Sequence, residues 1–131
     1  MSYFNSFRNH IYRFFSKKEM ADAIVVQPKL NRSLFNLFKQ YGGTRTESPV
    51  EFFFYTDTED KANNLAIELV KLKYEIYGIY PPAGDIHNWS IIRATTQLLM
   101  NEHELTKWCE AMTILGYETD CRFDGWETLI G

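Results

Sequence analysis

The residue types that could do chemistry are few, and their spacing argues against most of it. His103-Glu104-Leu105-Thr106-Lys107 opens like a zinc-binding helix, yet lysine stands at 107, four residues on, where the second imidazole would have to be. Cys109 is six residues from His103, far round a helix from it, so the two are not expected to share a metal. Cys109 falls in an apolar stripe and reads as core. Cys121 has only Arg122 beside it to lower its pKa, so neither thiol is a convincing nucleophile. Gly42-Gly43-Thr44 lacks the Gly-x-x-x-x-Gly-Lys spacing that aims backbone amides at a phosphate, and reads as a turn. The carboxylate pairs Glu59-Asp60 and Glu102-Glu104 sit where helices should start, and the helix dipole accounts for them. No nucleophile, base and orienting group interlock, so the sequence predicts a non-enzymatic protein with no catalytic residues, no metal and no cofactor.

The chain that must position these residues is 131 long, with 14 basic and 17 acidic side chains, a net charge of −3. At 45% hydrophobic and 16% aromatic it holds enough apolar material for a core, which excludes collagen-like, mucin-like and wholly disordered chains. Two cysteines are too few for a disulfide scaffold and fit a reducing compartment. No apolar run approaches the roughly 20 residues that span a bilayer, and Arg8, His10 and Arg13 interrupt any signal-peptide core. A cytoplasmic location is expected.

Charge divides the chain. Residues 1–30 carry five basic and two acidic side chains, a balance of +3, so the remainder stands at −6. With Gln27-Pro28 near the boundary, this predicts a basic aromatic arm over 1–30 and a domain over 31–131. In the arm, Phe4, Phe7, Ile11, Phe14 and Phe15 fall close to helical spacing, which predicts an amphipathic helix. Its apolar face has three destinations open to it: the body, a second copy in a homodimer, or weak contact with a membrane surface.

The domain begins with a helix expected over Asn31 to Tyr41, striped by Leu34, Phe35, Leu37, Phe38 and Tyr41 and stopped by Gly42-Gly43. Val50 to Thr56 reads as a central strand. Asp57-Thr58 offers a cap for a helix whose stripe is Ala62, Leu65, Ala66, Leu69 and Leu72. A second strand is expected from Tyr74 to Tyr80, a turn at Pro81-Pro82-Ala83-Gly84-Asp85, and a third strand from Trp89 to about Thr96. Asn101 and Glu104 suggest a capping box for a helix striped by Leu105, Trp108, Cys109 and Met112 and ended by Gly116. A last strand falls between Thr119 and Leu129, with a bulge or turn at Asp124-Gly125. This order, strand, helix, strand, strand, helix, strand, predicts an α+β ferredoxin-like sandwich. Its four-stranded antiparallel sheet should have the first and third strands central and both helices on one face. Phe53, Tyr55, Trp89, Ile91 and Arg93 should then point to the open face. Such a face could stack RNA bases, but the basic-Gly-aromatic string is missing and a body at −6 repels phosphates, so no direct nucleic-acid binding is expected.

The ending Phe123-Asp124-Gly125-Trp126-Glu127-Thr128, after Leu115-Gly116-Tyr117-Glu118, resembles that of the regulator of ribonuclease activity B family, protein inhibitors of ribonuclease E. Pro49 to Tyr55, Glu59 to Leu72 and Tyr74-Glu75-Ile76 are similar to that family's first strand, helix and second strand, with glycine expected where Lys73 stands. The resemblance covers about residues 31–131 and implies a ferredoxin-like domain that works by binding, possessing as partner ribonuclease E, another nuclease or a similar protein. The founding type is strongly acidic with acidic extensions, whereas this sequence opens on a basic aromatic arm. The expected binding residues are Phe53, Tyr55, Trp89 and Arg93 on the sheet, with Glu102, Glu104, Glu118, Asp120 and Asp124 steering a basic or extended segment. Asp124, Gly125 and Trp126 are read as fold-forming, because the carboxylate stabilises a bend and the indole anchors a strand. An immunity or antitoxin-like protein that blocks a toxin enzyme is the alternative from another class.

Overall fold

A computed structural model describes residues 13–43, 46–80 and 90–128. The arm residues Phe4, Phe7 and Ile11, the turn at 81–85 and Trp89 lie outside the described residues, as does the side chain of Ile91.

Helix α1, Lys17–Gln40, opens on a capping box. The Ser16 hydroxyl accepts from the Glu19 amide at 3.1 Å, and the Glu19 carboxylate accepts from the Ser16 amide at 3.1 Å. Two sequence expectations change here. Phe14 and Phe15 sit in a bend ahead of the cap rather than on a helix, and the helix expected over Asn31 to Tyr41 starts at Lys17, running through Pro28. Leu34, Leu37 and Tyr41 of its expected stripe are exposed, while Asn31 and Phe38 are buried.

Strand β1, Glu47–Thr56, alternates strictly, with Ser48, Val50, Phe52, Phe54 and Thr56 buried. Helix α2, Glu59–Lys71, is capped by Thr58 and buries Ala62, Leu65 and Leu69; Leu72, placed in the stripe by spacing, falls past the helix end and is exposed. Strands β2, Glu75–Tyr80, and β3, Ser90–Leu99, follow. Helix α3, Glu102–Thr119, is capped by the Asn101 side chain, which accepts from the Glu104 amide at 3.2 Å. Gly116 does not end it. A Cβ there would meet the Cys121 carbonyl oxygen at 2.5 Å, so this glycine permits the returning chain to cross close over the helix. The turn falls instead at Asp120, which takes the left-handed conformation at φ 58°.

Strand β4, Arg122–Thr128, completes one sheet of order β2-β3-β1-β4 with every pairing antiparallel. Phe53 lies opposite Gly125 and Phe54 opposite Phe123, which leaves Asp124 as the extra residue of a bulge, with Gly125 at φ +110°. The fold is the predicted ferredoxin-like βαββαβ sandwich with an N-terminal helix added. Phe52, Phe54, Ile92 and Ala94 meet Leu65 and Leu69 of α2 and Leu105 and Met112 of α3, each phenylalanine so buried contributing about 2–3 kcal/mol.

Candidate functional site

α1 packs chiefly on α3, and this lays it alongside β4, the edge strand. At one end the Arg122 guanidinium is paired with the Glu19 carboxylate; at the other the Trp126 indole donates to the Asn31 side-chain oxygen at 3.0 Å. Between these ties lies a groove of about 680 Å³, walled by α1 from Glu19 to Leu34 and by β4 from Arg122 to Trp126. Although partial desolvation pulls the other way, hydrogen bonds from Ser16 and the pairing with Arg122 hold the Glu19 carboxyl below its usual pKa.

The α1 wall is apolar and bare. Asn31, Phe35 and Phe38 turn toward the body, whereas Val26, Leu30, Leu34, Leu37 and Tyr41, at helical intervals of four and three, run beside them and are 39–64% exposed. The apolar arc of α1 is therefore wider than the part the body covers. The strand wall contributes charge. Asp124, on the bulge, forms no hydrogen bond or ion pair among the described residues, and partial desolvation raises its pKa while Arg122 pulls it down. Asp22, across the groove, has among the described residues only the exposed Lys18 at 3.7 Å.

The predicted binding residues separate into distinct places. Phe53, Tyr55 and Arg93 share the sheet face away from α2 and α3. Arg93 is committed there: its guanidinium donates to Glu51 at 2.7 and 2.8 Å and lies 4.7 Å from the Tyr77 ring centre. The Phe14 ring meets that of Tyr55 edge-on at 5.8 Å. Glu102 and Glu104 lie at one end of α3 and Glu118 and Asp120 at the other, about 24 Å apart at 1.5 Å per residue. Glu102 pairs with Arg32 of α1 at 3.0 Å. The Asp120 carboxylate accepts from the Phe14 and Phe15 amides at 2.9 and 2.7 Å and pairs with Lys61 at 2.7 Å, tying the start of the described chain to α2 and α3. Trp126 is buried, and Asp124 and Gly125 line the groove.

Asn31 is fully buried, and its oxygen accepts from Gln27 at 2.9 Å as well as from Trp126, while its amide donates to Thr106 at 3.2 Å. Sequence reasoning passed over Asn31 and over the groove residues Glu19, Asp22, Val26 and Leu30, because it divided the helix at Pro28. The available clue was the recurrence of Val26, Leu30, Leu34 and Leu37 across that proline. Burial raises the Cys109 thiol to about 12 and the Cys121 thiol to about 11, which keeps both protonated at neutral pH. Among the described residues no group of three or more His, Cys, Asp or Glu could hold a metal ion, and no helix is long and apolar enough to cross a membrane.

Fold and groove together define a ferredoxin-like α+β domain carrying a helix-flanked cleft along its sheet edge. Residues 29–128 match the family described as regulator of ribonuclease activity B, and the chain belongs to that family. No curated protein matches the sequence. The match begins inside α1, so Glu19, Asp22 and Val26 of the groove precede it, while Leu30, Leu34 and all of β4 fall within.

Proposed function

We propose that this chain is a non-enzymatic regulator of RNA turnover that binds ribonuclease E, another nuclease or a protein of its assembly. Membership in a family of ribonuclease regulators supplies the class of process. The observation that carries the binding role is the exposed apolar stripe of α1 beside Asp124, which has no hydrogen bond or ion pair among the described residues; such a surface gains free energy when it is covered. Direct action on RNA is disfavoured by charge and geometry alike. The part of the chain from residue 31 onward carries −6, Glu51 neutralises Arg93, and Phe14 lies against Tyr55 where a base would need to stack.

The test is capture from a cytosolic lysate on the tagged chain, with and without nuclease treatment, followed by a cleavage assay on the recovered enzyme. The expected result is a ribonuclease retained after nuclease treatment, whose cleavage rate changes at least severalfold when the chain is added. Loss of the captured protein on nuclease treatment would show RNA bridging and overturn the proposal. Recovery of a single unrelated enzyme would replace it with the immunity-like alternative.

A further inference from the structure

The helix layer of this molecule is wider than its sheet. α2 and α3 cover the four strands, and α1, packed on the far side of α3, extends the layer past β4, where the described residues place no fifth strand beneath it. The stripe Val26, Leu30 and Leu34 hangs over that vacancy for the length of the strand, since Glu19 meets Arg122 at one end and Asn31 meets Trp126 at the other. Among the described residues β4 is an edge strand, so alternate backbone amides and carbonyls along it face outward without a strand partner there. An added strand would satisfy these groups and, with side chains alternating between faces, would press every second one against the α1 stripe.

From this juxtaposition we infer that the groove seats an extended segment of a protein partner, paired to β4 as a fifth strand beneath α1, with apolar side chains at alternate positions and basic ones between. The inference rests on the binding role proposed above and names how that binding is made. Charge selects the basic partner: of the groove's charged side chains, Glu19 and Arg122 neutralise each other, which leaves Asp22 and Asp124 facing the cleft. Asp124 has lost part of its hydration and feels the charge of Arg122 but forms no hydrogen bond or ion pair among the described residues, so an arriving lysine or arginine meets a carboxylate already partly desolvated. The bulge at Asp124-Gly125 interrupts the edge between the two ends of β4, which limits pairing with a second flat edge and favours a single flexible chain.

The experiment uses the full chain and a fluorescent decapeptide of alternating valine and lysine. Two comparison peptides replace lysine by glutamate or methylate alternate backbone nitrogens. Anisotropy measures binding, and amide hydrogen exchange on the labelled chain locates it. The valine-lysine peptide is expected to bind and to slow exchange at β4, with both comparison peptides weaker by about tenfold or more. Leu30→Glu and Asp124→Asn should each weaken it by about fivefold to tenfold with unchanged urea midpoints, both sites being exposed. Equal binding of the methylated peptide, protection at β2 or on the Phe53 face, or no binding at millimolar peptide would overturn the inference. If the peptide fails while the chain still retains a nuclease from lysate, the groove assignment falls and the regulatory role stands. If the peptide binds at β4 and no nuclease is retained, the groove stands and the regulatory role falls.

Discussion

Gly42, Lys73 and Asp120 share one backbone task and answer it with three different side chains. Each follows a helix in the left-handed region, at φ 90°, 72° and 58°, and the next amide reaches back to the helix: Gly43 to Phe38, Tyr74 to Leu69, Cys121 to Gly116, at 2.7–3.1 Å. Lysine is the costly choice, since its Cβ crowds the carbonyl in this region and its exposed side chain forms no hydrogen bond or ion pair among the described residues. The sequence resemblance expected glycine at this position, and the geometry supplies the reason. Lys73→Gly should therefore raise stability by about 0.5–1 kcal/mol, seen as a higher urea midpoint with an unchanged slope. The same replacement at Asp120 should have the opposite sign. Relief of backbone strain is outweighed there by loss of the carboxylate that receives the Phe14 and Phe15 amides and pairs with Lys61, so Asp120→Gly is expected to cost about 2 kcal/mol. A gain at Asp120 would show that this carboxylate contributes nothing net.

At the level of elements, legibility followed periodicity. β1 was readable because Val50, Phe52 and Phe54 alternate with Glu51, Phe53 and Tyr55, and α2 because Ala62, Leu65 and Leu69 recur on one face. The sheet order followed from the element order. α1 was not readable as one helix, because proline removes an amide donor and the charge balance changes nearby; yet Pro28 is exposed, where water can serve the Ile24 carbonyl it deprives. The groove was missed with it, since its wall crosses that proline. What fixes α1 against the body is a polar contact no spacing rule reveals: Asn31, fully buried, accepts from Gln27 and Trp126 and donates to Thr106. Asn31→Leu keeps the number and branching of heavy atoms and removes every partner, stranding the Trp126 indole. It should lower stability by about 2–3 kcal/mol and speed amide exchange across α1 more than across α2. A loss below about 0.5 kcal/mol would mean that apolar packing alone holds the seam.

On the scale of the whole molecule, the two thiols sit where its parts join. Cys109 of α3 lies 3.7 Å from the Asn31 oxygen, at the meeting of α1, α3 and β4; Cys121 lies 3.5 Å from the Lys61 carbonyl, between α2 and the start of β4. Burial raises them to about 12 and about 11 from an ordinary value of 9.0. Above pH 9 the unfolded chain releases both thiol protons while the folded chain keeps them, so folding is linked to proton uptake and stability falls as pH rises. The contribution is complete below pH 9 and is lost as pH climbs through the folded values, at up to about 1.4 kcal/mol per pH unit for each thiol held protonated. Lys61 acts in the same direction at higher pH: desolvation opposes its charge, but hydrogen bonds to Asp120 and Asp57 prevail and raise its pKa. Urea midpoints should therefore be level near pH 8 and decline steeply between about pH 9 and 11. Replacing both cysteines by alanine should flatten that decline while lowering the midpoint at pH 8, because small cavities replace two buried sulfurs. A thiol reagent at pH 8 should label the native chain only at the rate of global opening, so that labelling accelerates with urea along with unfolding. Rapid labelling of either thiol in the absence of urea would show that its seam opens by itself, and that α1, α2, α3 and the sheet do not unfold as one unit.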